Sequence, residues 1–189
     1  MSRLYLIRHG KPASTWGEPD PDPGLDPAGW EQARGARDML LSLPPGECPV
    51  RVVSSPLRRC RETAAPFAEA LGVNPEIDPA VGEIPTPASV GEADRASWLR
   101  DAFGGAWRDI RGDLDYDQWR RSIARSLLVR GDTAVFSHFV AINAVLSTIL
   151  NDDRVVGFRP DHASITILET DGATLHLVRR GPEASTSVL

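Results

Sequence analysis

The sequence predicts an α/β fold, a mostly parallel β-sheet held between helical layers. Three observations carry this. Residues 4–8, 50–54 and 133–137 are short apolar runs suited to strands buried on both faces. Between them lie stretches whose apolar residues recur at helical spacing. The two kinds of segment alternate along the chain, the order of a parallel sheet with crossover helices. At 189 residues, 41% hydrophobic and 25% charged, the chain has the size and composition of one ordinary domain spanning residues 1–189. That is enough to bury a core without disulfides or metals.

The first strand, residues 4–8, runs into Arg8-His9-Gly10. Residues 11–27 contain five prolines and read as an irregular loop. Asp26 is placed to cap the next helix, with Pro27 at its first position, and residues 28–43 continue it until Pro44-Pro45-Gly46. After the strand at 50–54, Ser55 is the expected N-cap and Pro56 the first residue of a second helix. Leu57, Cys60, Ala64, Phe67, Ala68 and Leu71 form its apolar face, Pro66 is expected to kink or interrupt it, and Gly72 to end it. Residues 74–87 are proline-rich and read as irregular. Residues 92–110 and 115–129 read as two polar-faced helices carrying Trp98, Trp107 and Trp119, suited to covering the mouth of a site. The strand at 133–137 passes into a helix at 139–150. Residues 165–169 and 175–179 read as a hairpin about Asp171-Gly172, and residues 181–189 are expected to fray.

Composition also excludes some functions. A net charge of −5 lacks the cationic stripe of a general nucleic-acid binder, so phosphate chemistry must be local. Of the 21 basic residues, 20 are arginine and only Lys11 is lysine. Cys48 and Cys60 form no CxxC and have no histidine near in sequence, so neither a metal nor a redox site is expected, and the thiols read as reduced. No secretory segment is visible at the start. The most apolar stretch, 134–150, is short for a membrane span and carries His138 and Asn143, so a cytoplasmic protein without a membrane partner is expected.

In open α/β sheets, ligands bind beyond the carboxyl ends of the strands. The three strands deliver Arg8-His9-Gly10, then Ser54-Ser55 followed by Arg58 and Arg59, then His138. Two imidazoles and several guanidiniums converging there, with helix N-termini after Ser55 and His138, describe a pocket for a phosphoryl group.

Leu6-Ile7-Arg8-His9-Gly10, followed by Ser54-Ser55-Pro56-Leu57-Arg58-Arg59-Cys60-Arg61-Glu62-Thr63-Ala64, resembles the histidine phosphatase superfamily, the phosphoglycerate mutase-like group. Leu25, Gly29 and Gln32-Ala33 are similar to its loop-and-helix motif, Glu83 to its acid segment and Ser137-His138 to its second histidine motif. The resemblance runs in order from residue 4 to about residue 168. It implies a three-layer α/β/α sandwich and a metal-independent phosphomonoesterase of the histidine acid phosphatase type, with no cofactor. His9 would be the nucleophile, Arg8, Arg59 and His138 would hold the phosphoryl group, and Glu83 would be the general acid. The chemistry is consistent: a neutral imidazole can attack phosphorus near neutral pH, and fixed cations stabilise the charge spread over the transferring group.

Glu76 and Glu92 are the competing carboxylates, while Arg58 and Arg61 are expected at the surface and His176 is given no role. Residues 85–130 would form a helical cap that sets specificity. Lys11, Arg95, Trp98 and His162 are the candidates for substrate contact, His162 as a rim residue. Phe139 stands where the family has glycine, and its ring would narrow the site or pack under it. Lys11-Pro12 replaces the mutase continuation Glu-Ser, and no asparagine occurs before Asn74, so hydrolysis is expected. The alternatives are a mutase-type phosphotransferase and a non-catalytic phosphate-binding protein. The expected partner is a small phosphorylated metabolite or a phosphoprotein, and the protein itself a monomer or homodimer.

Overall fold

A computed structural model describes residues 1–14, 20–128 and 130–185. Among these, the chain forms β1 (Ser2–Arg8), α1 (Pro27–Leu41), β2 (Arg51–Ser54), α2 (Arg58–Leu71), β3 (Glu76–Ile77), α3 (Arg95–Phe103), α4 (Tyr116–Leu128), β4 (Thr133–Ser137), α5 (Phe139–Ile149), β5 (Ile165–Thr170) and β6 (Leu175–Arg179). The strands make one six-stranded sheet in the order β3-β2-β4-β1-β5-β6. β1, β2, β3 and β4 run parallel, β5 runs antiparallel to β1, and β6 antiparallel to β5.

The pleat divides the core into two halves. Leu4 and Leu6 of β1 point with Val135 and Leu168 into a cluster built with α5 and the 81–127 segment, including Trp107, Tyr116 and Ile123. Tyr5 and Ile7 point the other way with Ala134, Phe136 and Ile167, against Ala36 and Leu40 of α1 and Ala64 and Phe67 of α2. A sheet apolar on both faces needs a helical layer on each, which makes the three-layer α/β/α sandwich.

α1 begins as its residues dictate: the Asp26 carboxylate accepts Gly29 N–H at 2.6 Å, and Pro27 occupies the first turn. Its first turn lies so close to the end of β1 that a Cβ added at Gly29 would overlap the Lys11 carbonyl, and one at Gly10 would stand 2.7 Å from the Gly29 carbonyl. Both close approaches require glycine.

Several sequence expectations are corrected. α2 starts at Arg58 with Leu57 as N-cap, because Ser55 N–H still bonds to the Phe136 carbonyl in the sheet. α2 passes through Pro66 without interruption, since burial of Ala64, Phe67 and Ala68 outweighs one lost helical bond. The proline-rich 74–87 segment contributes β3, which adds to β2 at the sheet edge. The helix expected at 92–110 is a 3-10 turn at Glu92–Asp94, α3, and a second 3-10 turn at Trp107–Asp109, divided by Gly104-Gly105. The hairpin turn has four residues, and the Asp171 carboxylate accepts the N–H groups of Ala173 and Thr174. Residue 129, expected to end α4, and residues 186–189 of the expected frayed tail lie outside the described residues. Among the described residues, no helix is long and apolar enough to cross a membrane.

Candidate active site

The carboxyl ends of β1, β2 and β4 bring Arg8, His9, Arg59 and His138 together, each buried. Their hydrogen-bond partners set the protonation of each imidazole. His9 Nδ1 lies 2.8 Å from the Gly10 carbonyl. A carbonyl only accepts, so Nδ1 carries the proton and Nε2 holds a free lone pair. Gly10 N–H donates to Thr63 Oγ1 at 2.9 Å and the Thr63 hydroxyl donates to the Arg59 carbonyl at 2.6 Å, joining the end of β1 to the first turns of α2. Burial, then the fields of Arg59, His138 and Arg8, push the His9 pKa well below the ordinary imidazole range.

His138 is fully buried, with Nε2 2.7 Å from Ser55 Oγ and Nδ1 3.3 Å from Arg59 Nη2. The guanidinium can only donate, so Nδ1 accepts and Nε2–H donates to Ser55. Cys60 Sγ lies 3.4 Å from the same Nε2 and donates to the Ser137 carbonyl. Burial, then Arg59, Arg8 and Arg95, also push His138 well below the imidazole range. Glu83, whose side chain is 7% exposed, places Oε2 at 3.6 Å from Arg59 Nη2 and 3.5 Å from His138 Nδ1. Its other oxygen accepts Ile84 N–H. The competing carboxylates lie elsewhere: Glu76 pairs with Arg51 and Arg130, and Glu92 is exposed.

Arg8 donates through Nη1 to the Pro160 carbonyl and meets His162 Nε2 with Nη2, both at 2.9 Å, while its guanidinium lies 5.3 Å over the Phe139 ring. The ring therefore packs under the cation. Burial holds the Arg8 pKa down, to about 10. Of the two helix N-termini expected to face the site, that of α2 is already used. Leu57 N–H donates to Ser55 Oγ and Arg58 N–H to the Asp22 carboxylate.

A model of the histidine phosphatase superfamily (branch 1) matches residues 4–181. The chain belongs to that superfamily. No curated protein matches its sequence. Among solved structures it is similar to a mycobacterial glucosyl-3-phosphoglycerate phosphatase, at 21% identity and a TM-score of 0.74, covering 97% of this chain and 100% of that one. It is also similar to a phosphoserine phosphatase from Entamoeba histolytica solved with 3-phosphoglyceric acid, at 21% identity and a TM-score of 0.74 over 96% and 98% of the two chains. The same enzyme's mutant complex with phosphoserine aligns at 19% identity, a TM-score of 0.74, and 95% and 96% coverage.

In this histidine phosphatase superfamily member, the four residues expected to touch substrate are placed differently from one another. Lys11 is exposed and pairs with Asp26 at 2.9 Å. Arg95, on α3, lies within electrostatic reach of Glu83, Arg59 and His138. Trp98, partly buried, packs on Tyr116 at the edge of the core, with ring centroids 5.8 Å apart. His162 enters the site, bonding Arg8 and lying 5.9 Å from the His9 ring. Sequence reasoning gave no site role to Cys60, Thr63 or Pro160, and placed Ser55 at the ligand end of the sheet only as a helix cap, with no partner for its hydroxyl. Ser55, Cys60 and Thr63 lie inside the motif already quoted, and that adjacency was their signal. Pro160 acts through its backbone, which no side-chain pattern reveals. Among the described residues, no group of three or more His, Cys, Asp or Glu side chains could hold a metal ion.

Proposed function

We propose that the chain is a metal-independent phosphomonoesterase of the histidine acid phosphatase type. It would act in the cytoplasm, as a monomer or homodimer, on a small phosphorylated metabolite or a phosphoprotein, through a phosphohistidine on His9. The observation that carries this reading is the state of His9. Its Nδ1–H is committed to the Gly10 carbonyl, and its Nε2 is left unprotonated in a buried site beside Arg8 and Arg59.

In the first step, Nε2 attacks phosphorus, the N–P bond forms and the ester P–O bond breaks. Arg8 and Arg59 offset the charge on the equatorial oxygens. The leaving alkoxide takes its proton from Glu83, an acid role that typically contributes about 10²- to 10⁴-fold. In the second step, water attacks phosphorus, the Glu83 carboxylate takes its proton, and phosphate leaves a neutral His9. Burial first, then the arginine field, keep His138 neutral, and a phosphoryl dianion that offsets the arginines favours its protonated, donating form. The solved structures named as phosphatases support hydrolysis as the outcome. Residues 85–130 would serve as the cap of a single 1–189 domain, and Lys11, Arg95, Trp98 and His162 would be the side chains nearest the rest of the substrate.

The test is hydrolysis of p-nitrophenyl phosphate in excess chelator by wild type and His9→Ala. Chelator-resistant turnover that the substitution abolishes is expected. Turnover that survives in His9→Ala overturns the nucleophile assignment, and tight binding of the ester without turnover by wild type overturns the enzyme reading.

A further inference from the structure

We propose that His162 is a positioning residue which, with the Pro160 carbonyl, clamps the Arg8 guanidinium in its phosphoryl-binding orientation. The inference rests on the phosphoryl-transfer reading above and adds the group that aims one of its cations.

His162 lies on the connection between α5 and β5, 154 residues from Arg8 in sequence. Arg8 Nη1 donates to Pro160 O and Nη2 to His162 Nε2, both at 2.9 Å, so one short turn holds both terminal nitrogens of the fork. Because a guanidinium has no acceptor, His162 must be neutral with its proton on Nδ1. An imidazolium could not make this bond and would set a second cation against Arg8.

The turn is itself held to β1. Ala163 N–H donates to the Arg8 carbonyl at 3.0 Å, and His162 N–H donates to the Asp161 carboxylate at 2.8 Å. Ala163 adopts φ +55 while buried, a left-handed conformation that costs an L-residue about 1 kcal/mol or more and persists where surrounding contacts over-determine it. Further back, Asn143 of α5 accepts Gly157 and Phe158 N–H and fixes the segment leading into the turn.

The charged and titratable groups facing His162 are Arg8 and His9 at the end of β1, Lys11 and Asp26 ahead of α1, and Asp161 beside it. Burial first, then Arg8, push its pKa down to about 4, which keeps it an acceptor near neutrality.

The experiment compares His162→Gln with His162→Asn. A glutamine Oε1 lies about as far from Cα as the imidazole Nε2 and can accept from Arg8, whereas an asparagine Oδ1 reaches only the Nδ1 position. Inhibition by inorganic phosphate and the kcat and KM for p-nitrophenyl phosphate are measured at pH 7, with thermal unfolding as the folding control. One lost charge-assisted bond is expected to raise the phosphate inhibition constant and KM of His162→Asn about tenfold, while His162→Gln stays within about threefold of wild type. Glutamine does not titrate, so the kcat/KM ratio of His162→Gln to wild type is expected to rise between pH 7 and 4, to about twofold at pH 4.

A folded His162→Asn that binds phosphate like wild type overturns the clamp, as does His162→Gln equally impaired. If His162→Asn does not fold, a flat ratio across that pH range overturns it. Wild type that neither hydrolyses the ester nor binds phosphate overturns the parent reading, and the clamp with it.

Discussion

At the scale of single residues, the site is a set of groups whose protonation is dictated by their hydrogen-bond partners. His9, His138 and His162 are all pushed below the ordinary imidazole range, by burial first and by neighbouring arginines. A bound dianion reverses the second cause, so binding should take up protons. Calorimetric titration with sulfate, which does not itself titrate near neutrality, in buffers of different ionisation enthalpy at pH 6 to 7 should show net uptake; release would contradict the depressed histidines. Glu83→Gln should lower turnover of alkyl phosphates by about 10²-fold or more while affecting p-nitrophenyl phosphate far less, since its leaving group hardly needs protonation. Equal losses on both substrates would remove Glu83 as the acid. Arg8, His9, Arg59, Glu83 and His138 were legible because they sit in one ordered series of motifs. The Ser55–His138 bond was not, because a serine before a helix reads first as a cap, and only the packed structure shows its hydroxyl also meeting an imidazole.

At the scale of elements, the long amphipathic segments were legible and their ends less so. α1, β1, β4 and α5 lie where apolar spacing and capping residues put them. β3 escaped because two residues carry no periodicity, and its pairing with β2 is decided across the sheet edge. The connection after α5 has a more particular support. Asn143 is buried and its carbonyl oxygen accepts two backbone N–H groups, from Gly157 and Phe158. Asn143→Ala leaves both donors short of a partner and should cost about 2 to 3 kcal/mol in urea unfolding. It should also weaken phosphate binding, since that segment presents Pro160 and His162. Normal stability in this variant would show that water or a shifted chain replaces the bonds.

At the scale of the whole molecule, the three depressed histidines make stability depend on pH in a defined window. Below the ordinary imidazole pKa, the unfolded chain binds protons that the folded chain refuses, so stability falls as pH drops. The window opens near pH 6.5, the ordinary imidazole value, and reaches to about 4 for His162, while His9 and His138 also refuse protons well below that ordinary value. Carboxylates held low, such as Asp171 at about 2, act only at the acid end of this range. The urea midpoint should therefore be flat from pH 8 to 7 and decline from 6.5 towards 4. The decline should be shallower with inorganic phosphate present, because bound anion favours the protonated imidazoles. A midpoint constant over that range would mean the histidines are solvated in the folded state.

The α/β class, the mostly parallel sheet, the family and the principal chemical groups of the candidate site were all readable along the chain. Those follow from local periodicity, from capping and turn residues, and from motif order along one strand-helix series. Packing settled the rest: α2 runs through Pro66, Ser55 and Asp22 occupy the N-terminus of α2, Trp98 packs against the core, and His162 bonds Arg8. Each of these is a contact between segments far apart in the chain, or a trade between burial and one lost bond. Spacing along the chain carries no record of either, because both are set by which faces meet when the layers pack.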